Sequence, residues 1–83
     1  MNIDGLWYEH EGFVSQNPKN AFRNMMHDGL LQSDRLIIDR PQLTERYMRK
    51  GIYARISNGE NIEEVWLREN DGSLAPLYIK TDG

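Results

Sequence analysis

The stretch IYARISNGENIEEVWLRENDGSLAPLYIK, residues 52–80, decides how the rest of the chain is read. Ile52, Ala54 and Ile56 alternate with Tyr53, Arg55 and Ser57, the period-two pattern of a half-buried strand. Asn58–Gly59 follows, a dipeptide that tolerates positive φ at both central positions of a tight hairpin turn; Glu60 and Asn61 leave a four-residue loop equally open. Ile62–Glu69 alternates again, with Glu63, Val65 and Leu67 set against Ile62, Glu64, Trp66 and Arg68. Asn70–Asp71–Gly72 is a second turn signal, after which Ala75, Leu77 and Ile79 alternate with Leu74, Pro76, Tyr78 and Lys80. The pattern predicts an antiparallel three-stranded meander over 52–80. Pro76, which has no N–H to donate, places the last strand at an edge or turns that position outward.

Strand side chains point alternately to opposite faces, so these sets define two surfaces. Ile52, Ala54, Ile56, Val65, Leu67, Ala75, Leu77 and Ile79 form an aliphatic face expected to carry helices. Tyr53, Trp66 and Tyr78 share the other with Arg55, Arg68, Lys80 and Glu64.

Working outward, Pro41–Lys50 reads as a helix with Leu43, Tyr47 and Met48 as its apolar residues. Arg46, Arg49 and Lys50 suit the negative end of its dipole, and Gly51 closes it. Leu36–Ile37–Ile38 is too short for periodicity to separate strand from helix. Asn17–Pro18 is a helix start, with Asn as cap and Pro in the first turn. The helix Pro18–Asp28 turns Ala21, Phe22, Met25 and Met26 to the core and Lys19, Arg23, Asn24 and His27 to water, with Gly29 as its stop. Residues 3–14 carry Leu6, Trp7, Tyr8, Phe13 and Val14 around Glu9–His10–Glu11–Gly12, which favours extended structure, either a strand or a small hairpin turning at Glu11–Gly12, and could add a fourth strand to the sheet. The whole, residues 1–83, is expected to be a single α+β domain: an antiparallel sheet of three to four strands packed against one or two helices.

Composition excludes several functions. The chain has no cysteine, hence no disulfide, thiolate zinc site or thiol catalysis, which suits a reducing compartment. Met1–Tyr8 has neither the charge nor the apolar run of a signal peptide, and no segment approaches the roughly 20 apolar residues of a membrane span. A cytoplasmic protein with no membrane association is expected. A net charge of −3 is not that of a general polyanion binder, because phosphate affinity comes chiefly from Lys and Arg.

Chemical motifs are sparse. Glu9 and Glu11 share one face of an extended segment and His10 the other, while His27 lies on the polar side of a helix, so neither metal nor cofactor is expected. Glu63 and Glu64 point apart and cannot act as an acid–base pair. No serine sits in a Gly-x-Ser-x-Gly elbow and no glycine-rich phosphate loop occurs. Met25, Met26 and Met48 fit the core better than a binding groove. The chain therefore reads as a non-enzyme.

The candidate contact surface is Tyr53, Trp66 and Tyr78 with Arg55, Arg68 and Lys80, since aromatics and arginine concentrate at interface hot spots. Arg46, Arg49 and Lys50 form a second candidate surface. The expected function is that of a small stand-alone interaction protein that modulates or inhibits a larger protein partner, in the manner of accessory proteins of bacteria and their viruses. Self-association through the same face is compatible with it. An alternative is single-stranded nucleic-acid binding, with bases stacked on the aromatics; three basic against six acidic side chains over 52–83 oppose it. The order strand, two helices, three strands also resembles the outline of the ribosome-dependent RNase toxins of toxin–antitoxin systems. The resemblance lies in element order alone and would imply RNA cleavage, for which the acidic balance is unfavourable.

Overall fold

A computed structural model describes residues 1–13 and 15–81. A small N-terminal hairpin, β1 (Asn2–Ile3) and β2 (Leu6–Trp7), precedes the main unit. That unit runs β3 (Glu9–Glu11), α1 (Pro18–Leu30), β4 (Arg35–Asp39), α2 (Glu45–Ser57), β5 (Glu64–Arg68) and β6 (Leu74–Ile79). The four-stranded sheet has the order β3-β4-β5-β6, with the first three strands parallel and β6 antiparallel to β5. The fold is α+β as expected, but the sheet is mixed rather than antiparallel. Val14, which the sequence assigned to the extended N-terminal stretch, lies outside the described residues.

The largest correction falls on 52–57, which continues α2 instead of forming a strand. Met48, Ile52 and Ile56 recur every four residues, so a helical stripe coexists with the alternation Ile52/Ala54/Ile56. Met48 and Ile52 are fully buried, and Ile56 packs against the core. Asn58–Gly59 is the helix end. Gly59 has φ +95°, its N–H donates to Ile56 O at 3.0 Å, and Glu60 N–H donates to Arg55 O at 3.1 Å, the paired bonds of a Schellman motif. A positive-φ glycine serves a hairpin or a helix end equally well, and here it serves the second. The helix also starts later than Pro41: Thr44 is the N-cap, its hydroxyl accepting from Tyr47 N–H at 3.1 Å.

Both glycines read as helix stops lie inside helices. Gly29 is buried in α1, where a Cβ would come within 2.8 Å of Leu36 Cδ2 on β4. Gly51 is in the middle of α2, where a Cβ would stand 3.0 Å from Phe22 Cε2 of α1. Each marks a close approach between elements. The other local signals hold: Asn17 caps α1 through its side chain, and Gly72 at φ +86° turns the β5–β6 hairpin. The N-terminal turn falls at Asp4–Gly5, with φ +52° and +83°, the positive pair of a type I′ hairpin, and not at Glu11–Gly12.

β3, β4 and β5 are parallel neighbours in chain order, joined through α1 and α2. Such crossovers are nearly always right-handed, and two that step in one direction leave both helices on one face. The core accordingly joins Phe22, Met25, Met26, Met48 and Ile52 of the helices to Leu36, Ile38, Val65, Leu67 and Leu77 of the sheet. Burying one such side chain stabilises by roughly 1.5–3 kcal/mol. β4 is apolar on both sides: Leu36 and Ile38 face the helices, and Ile37, the residue between them, is 1% exposed on the outer face.

A β-bulge resets the alternation in β6. The register passes from Val65↔Tyr78 to Trp66↔Pro76, so Leu77 is an extra residue. Tyr78 consequently lies on the helix side, against the core, and Ile79 turns outward opposite Glu64, 47% exposed. The element order also departs from strand, two helices, three strands: β4 separates the helices and the first expected strand of the C-terminal set is helical. The likeness to the RNase toxins therefore loses its basis.

Candidate functional site

The expected aromatic face is divided among three places. Trp66 and Arg68 lie on the outer face of β5, which carries Glu64, Trp66 and Arg68 in alternation with the buried Val65 and Leu67. Tyr78 is on the opposite face of the sheet, and its ring meets that of Tyr53, on α2, edge-on at 5.9 Å and 82°. Lys80, beyond β6, is 3.5 Å from Glu63. The six residues do not form one surface, because a helix replaces the first strand and the bulge inverts the third.

The outer face has its own centre in Glu64. Its carboxylate accepts from Tyr8 Oη at 2.8 Å, Trp66 Nε1 at 2.9 Å and Arg35 Nε at 3.1 Å. Burial alone would push this carboxyl up; the hydrogen bonds from Trp66, Tyr8 and Arg35 outweigh it and hold the pKa below the usual carboxylate range. The Tyr8 hydroxyl is pushed up by burial and by the negative Glu64 beside it. Tyr8, only 7% exposed, thus anchors the N-terminal segment across the sheet. Ile3, Tyr8, Ile37, Trp66 and Leu74 line an apolar cleft there of about 130 Å³. With its lone pairs engaged by three donors, Glu64 fastens a cover and offers no proton. Nearby, His10 Nε2 is 2.8 Å from Asp39 Oδ1, and Arg68 approaches the same oxygen at 3.8 Å. Glu9 and Glu11 face the other side of the sheet, in register with Leu36 and Ile38. No group of three histidine or carboxylate side chains gathers around a common point among the described residues.

The helix layer is arranged differently. α1 and α2 enclose a groove of about 470 Å³ whose floor is Phe22, Gly51 and Ala54. Its lining includes Lys19 and Arg23 from α1 and Lys50 and Arg55 from α2, and no carboxylate. Lys19 Nζ stands 5.3 Å from the ring centre of Tyr47, a cation–π distance. Arg55 is tied to Glu60 at 3.2 Å and to the Arg23 carbonyl at 3.4 Å. Among the described residues, Lys19, Arg23, Arg46 and Lys50 have no carboxylate within 4.0 Å, whereas the other six cations do. All four unpaired cations are exposed and all lie on the two helices.

The second candidate surface is therefore split. Arg46 and Lys50 belong to this exposed basic face, while Arg49 turns to the sheet, its Nε donating to Leu77 O at 3.1 Å and its guanidinium pairing with Glu45 at 2.9 Å. Leu77 is the bulge residue, so Arg49 serves a carbonyl that the ladder displaces. Lys19, Arg23 and Tyr47 were not anticipated as site residues. Their signal was available: Lys19/Arg23 and Arg46/Lys50 are cations four apart, with no acidic residue three or four positions away on the same helix. Arg49, with Glu45 four residues before it, shows the contrasting pattern. Among the described residues, no helix is long and apolar enough to cross a membrane. Comparison with protein-family models, with curated proteins and with solved structures found no match.

Proposed function

We propose that this chain is a small interaction protein that binds a larger protein partner and modulates or inhibits it, through the solvent side of its helix layer. The observation that carries this reading is charge segregation: on a chain of net charge −3, the four cations that have no carboxylate neighbour among the described residues all lie on α1 and α2. Desolvated or clustered charge of one sign steers and orients a partner more than it stabilises the monomer. Tyr53, half exposed, and Tyr47 add aromatic surface on the same helix. The absence of cysteine suits action in the cytoplasm, as accessory or inhibitory proteins of bacteria and their viruses would require.

The test is capture from the native host with the wild-type chain and with Arg46→Glu/Lys50→Glu, after nuclease treatment, followed by mass spectrometry. Both residues are exposed and unpaired among the described residues, so the double variant should fold. Loss of a specific protein from the variant's capture is the expected result. A capture profile identical for both chains, or one abolished by nuclease, would overturn the reading.

A further inference from the structure

We propose that the groove between α1 and α2 receives an acidic amphipathic helix of the partner, seated by an apolar side chain on Ala54 beside the Phe22–Gly51 contact. The proposal deepens the function proposed above and rests on it for the choice of surface.

Charge complementarity selects the occupant. Lys19 and Arg23 rise from one wall and Lys50 from the other, beside Arg55, which is already paired with Glu60, and no carboxylate lines the groove itself. Lys19 and Arg23 are four residues apart on one face of α1, and Lys50 and Arg55 flank the Gly51–Ala54 turn of α2. A segment lying between them meets cations on both sides, which acidic side chains on the flanks of a helix would match. The floor supplies the apolar part of the match. Ala54 is small and exposed, and Phe22, packed into the space a side chain at Gly51 would need, closes the bottom at 6% exposure. A dip over a small residue between two helices accepts a protruding side chain, as in ridge-into-groove packing.

The alternative polyanion, single-stranded nucleic acid, fits less well. Stacking needs free aromatic faces. The Tyr47 ring has the Lys19 ammonium over it, and Tyr53 is engaged edge-on with Tyr78. The overall charge of −3 opposes a long phosphate track as well.

The probe is a capped 16-residue synthetic helix with leucine at every third or fourth position and glutamate elsewhere, titrated into the isotopically labelled chain and followed by amide chemical shifts. Shifts centred on Phe22, Gly51 and Ala54 are expected. Lys19→Glu/Lys50→Glu should weaken binding tenfold or more, and the same probe with lysine in place of glutamate should leave those amides unmoved. Ala54→Lys separates the two modes: it adds a cation but fills the floor, so it should weaken an anchored helix and strengthen a purely electrostatic ligand. No shifts at millimolar probe, shifts elsewhere, tighter binding to Ala54→Lys, or preferential binding of a dT12 oligonucleotide at the groove would each overturn the proposal. The two readings fail separately. A captured partner that depends on Arg46 and Lys50 but leaves Phe22, Gly51 and Ala54 unshifted keeps the function and removes this occupant; probe binding without any charge-dependent capture does the reverse.

Discussion

Replacing Gly29 by alanine tests the close approach of α1 to the sheet. Within a helix, alanine is favoured over glycine by about 1 kcal/mol. The new Cβ, however, would lie 2.8 Å from Leu36 Cδ2, 3.2 Å from Cδ1 and 3.3 Å from Glu11 Cγ. Carbon atoms in contact prefer about 3.5–4.0 Å. Leu36 is fully buried, so its methyls have no free space into which to move. Overpacking of this kind costs about 1–3 kcal/mol. The net effect should be a loss of about 1 kcal/mol, read as a fall in Tm of about 4–8 °C for a domain of this size. Thermal unfolding followed by far-ultraviolet circular dichroism measures it. The decisive comparison is the same change made on Leu36→Val, which removes both Cδ atoms. There the two closest contacts are gone, only the partly exposed Glu11 side chain has to give way, and Gly29→Ala should become stabilising. If instead it costs the same in both backgrounds, the penalty is a backbone one, as for a glycine at a helix terminus, and the packing argument fails.

Leu67→Ala should cost about 2–5 kcal/mol, because Leu67 is fully buried against the helices, whereas Ile79→Ala should stay within about 0.5 kcal/mol; urea titration of both variants checks which face each residue takes. Tyr8→Phe removes a donor from a charged acceptor and should cost about 1.5–3 kcal/mol by the same measurement. Glu64, whose carboxyl pKa is lowered on folding, contributes stability that is complete above the ordinary carboxylate range, about 4.3, and is lost as pH falls through it toward the lower folded value. Glu64→Gln should flatten that acid limb of the stability curve, and an unchanged slope between neutral and acid pH would show that another group is responsible.

The two-helix, one-sheet outline was legible because caps and turns act locally. Asn17–Pro18 and Asn70–Asp71–Gly72 each specify one short geometry, and both were recovered. Asn58–Gly59, Gly29 and Gly51 were not, since glycine satisfies positive φ, helix termination and close packing alike, and the choice depends on what lies opposite. For Gly29 that neighbour is Leu36, on the next element, and for Gly51 it is Phe22, on the other helix. The outer alternation of β6 failed at Leu77 because a bulge adds one residue without a sequence mark, exchanging the faces of Tyr78 and Ile79. The candidate surface inherited both errors. What survived is the basic composition of α2, and the missing half of the groove stood in the unpaired cation spacing of α1.

The central strand has a further consequence for the chain before it folds. Leu36, Ile37 and Ile38 form an apolar window bracketed by Asp34–Arg35 and Asp39–Arg40. In an unfolded chain, charges so placed act as gatekeepers, raising the cost of stacking the window against a copy of itself. Once folded, the same charges reach sideways: Arg35 to Glu64 at 3.1 Å, Arg40 to Glu69 at 2.8 Å and Asp39 to His10 at 2.8 Å. Each such pair is worth no more than about 1 kcal/mol at the surface. Their larger effect is on choice among pairings. A slip of β4 by one residue would part all three at once and turn Ile37 toward the helices. Arg35, Asp39 and Arg40 therefore guard this strand twice, against other chains while it is open and against the wrong register as it closes.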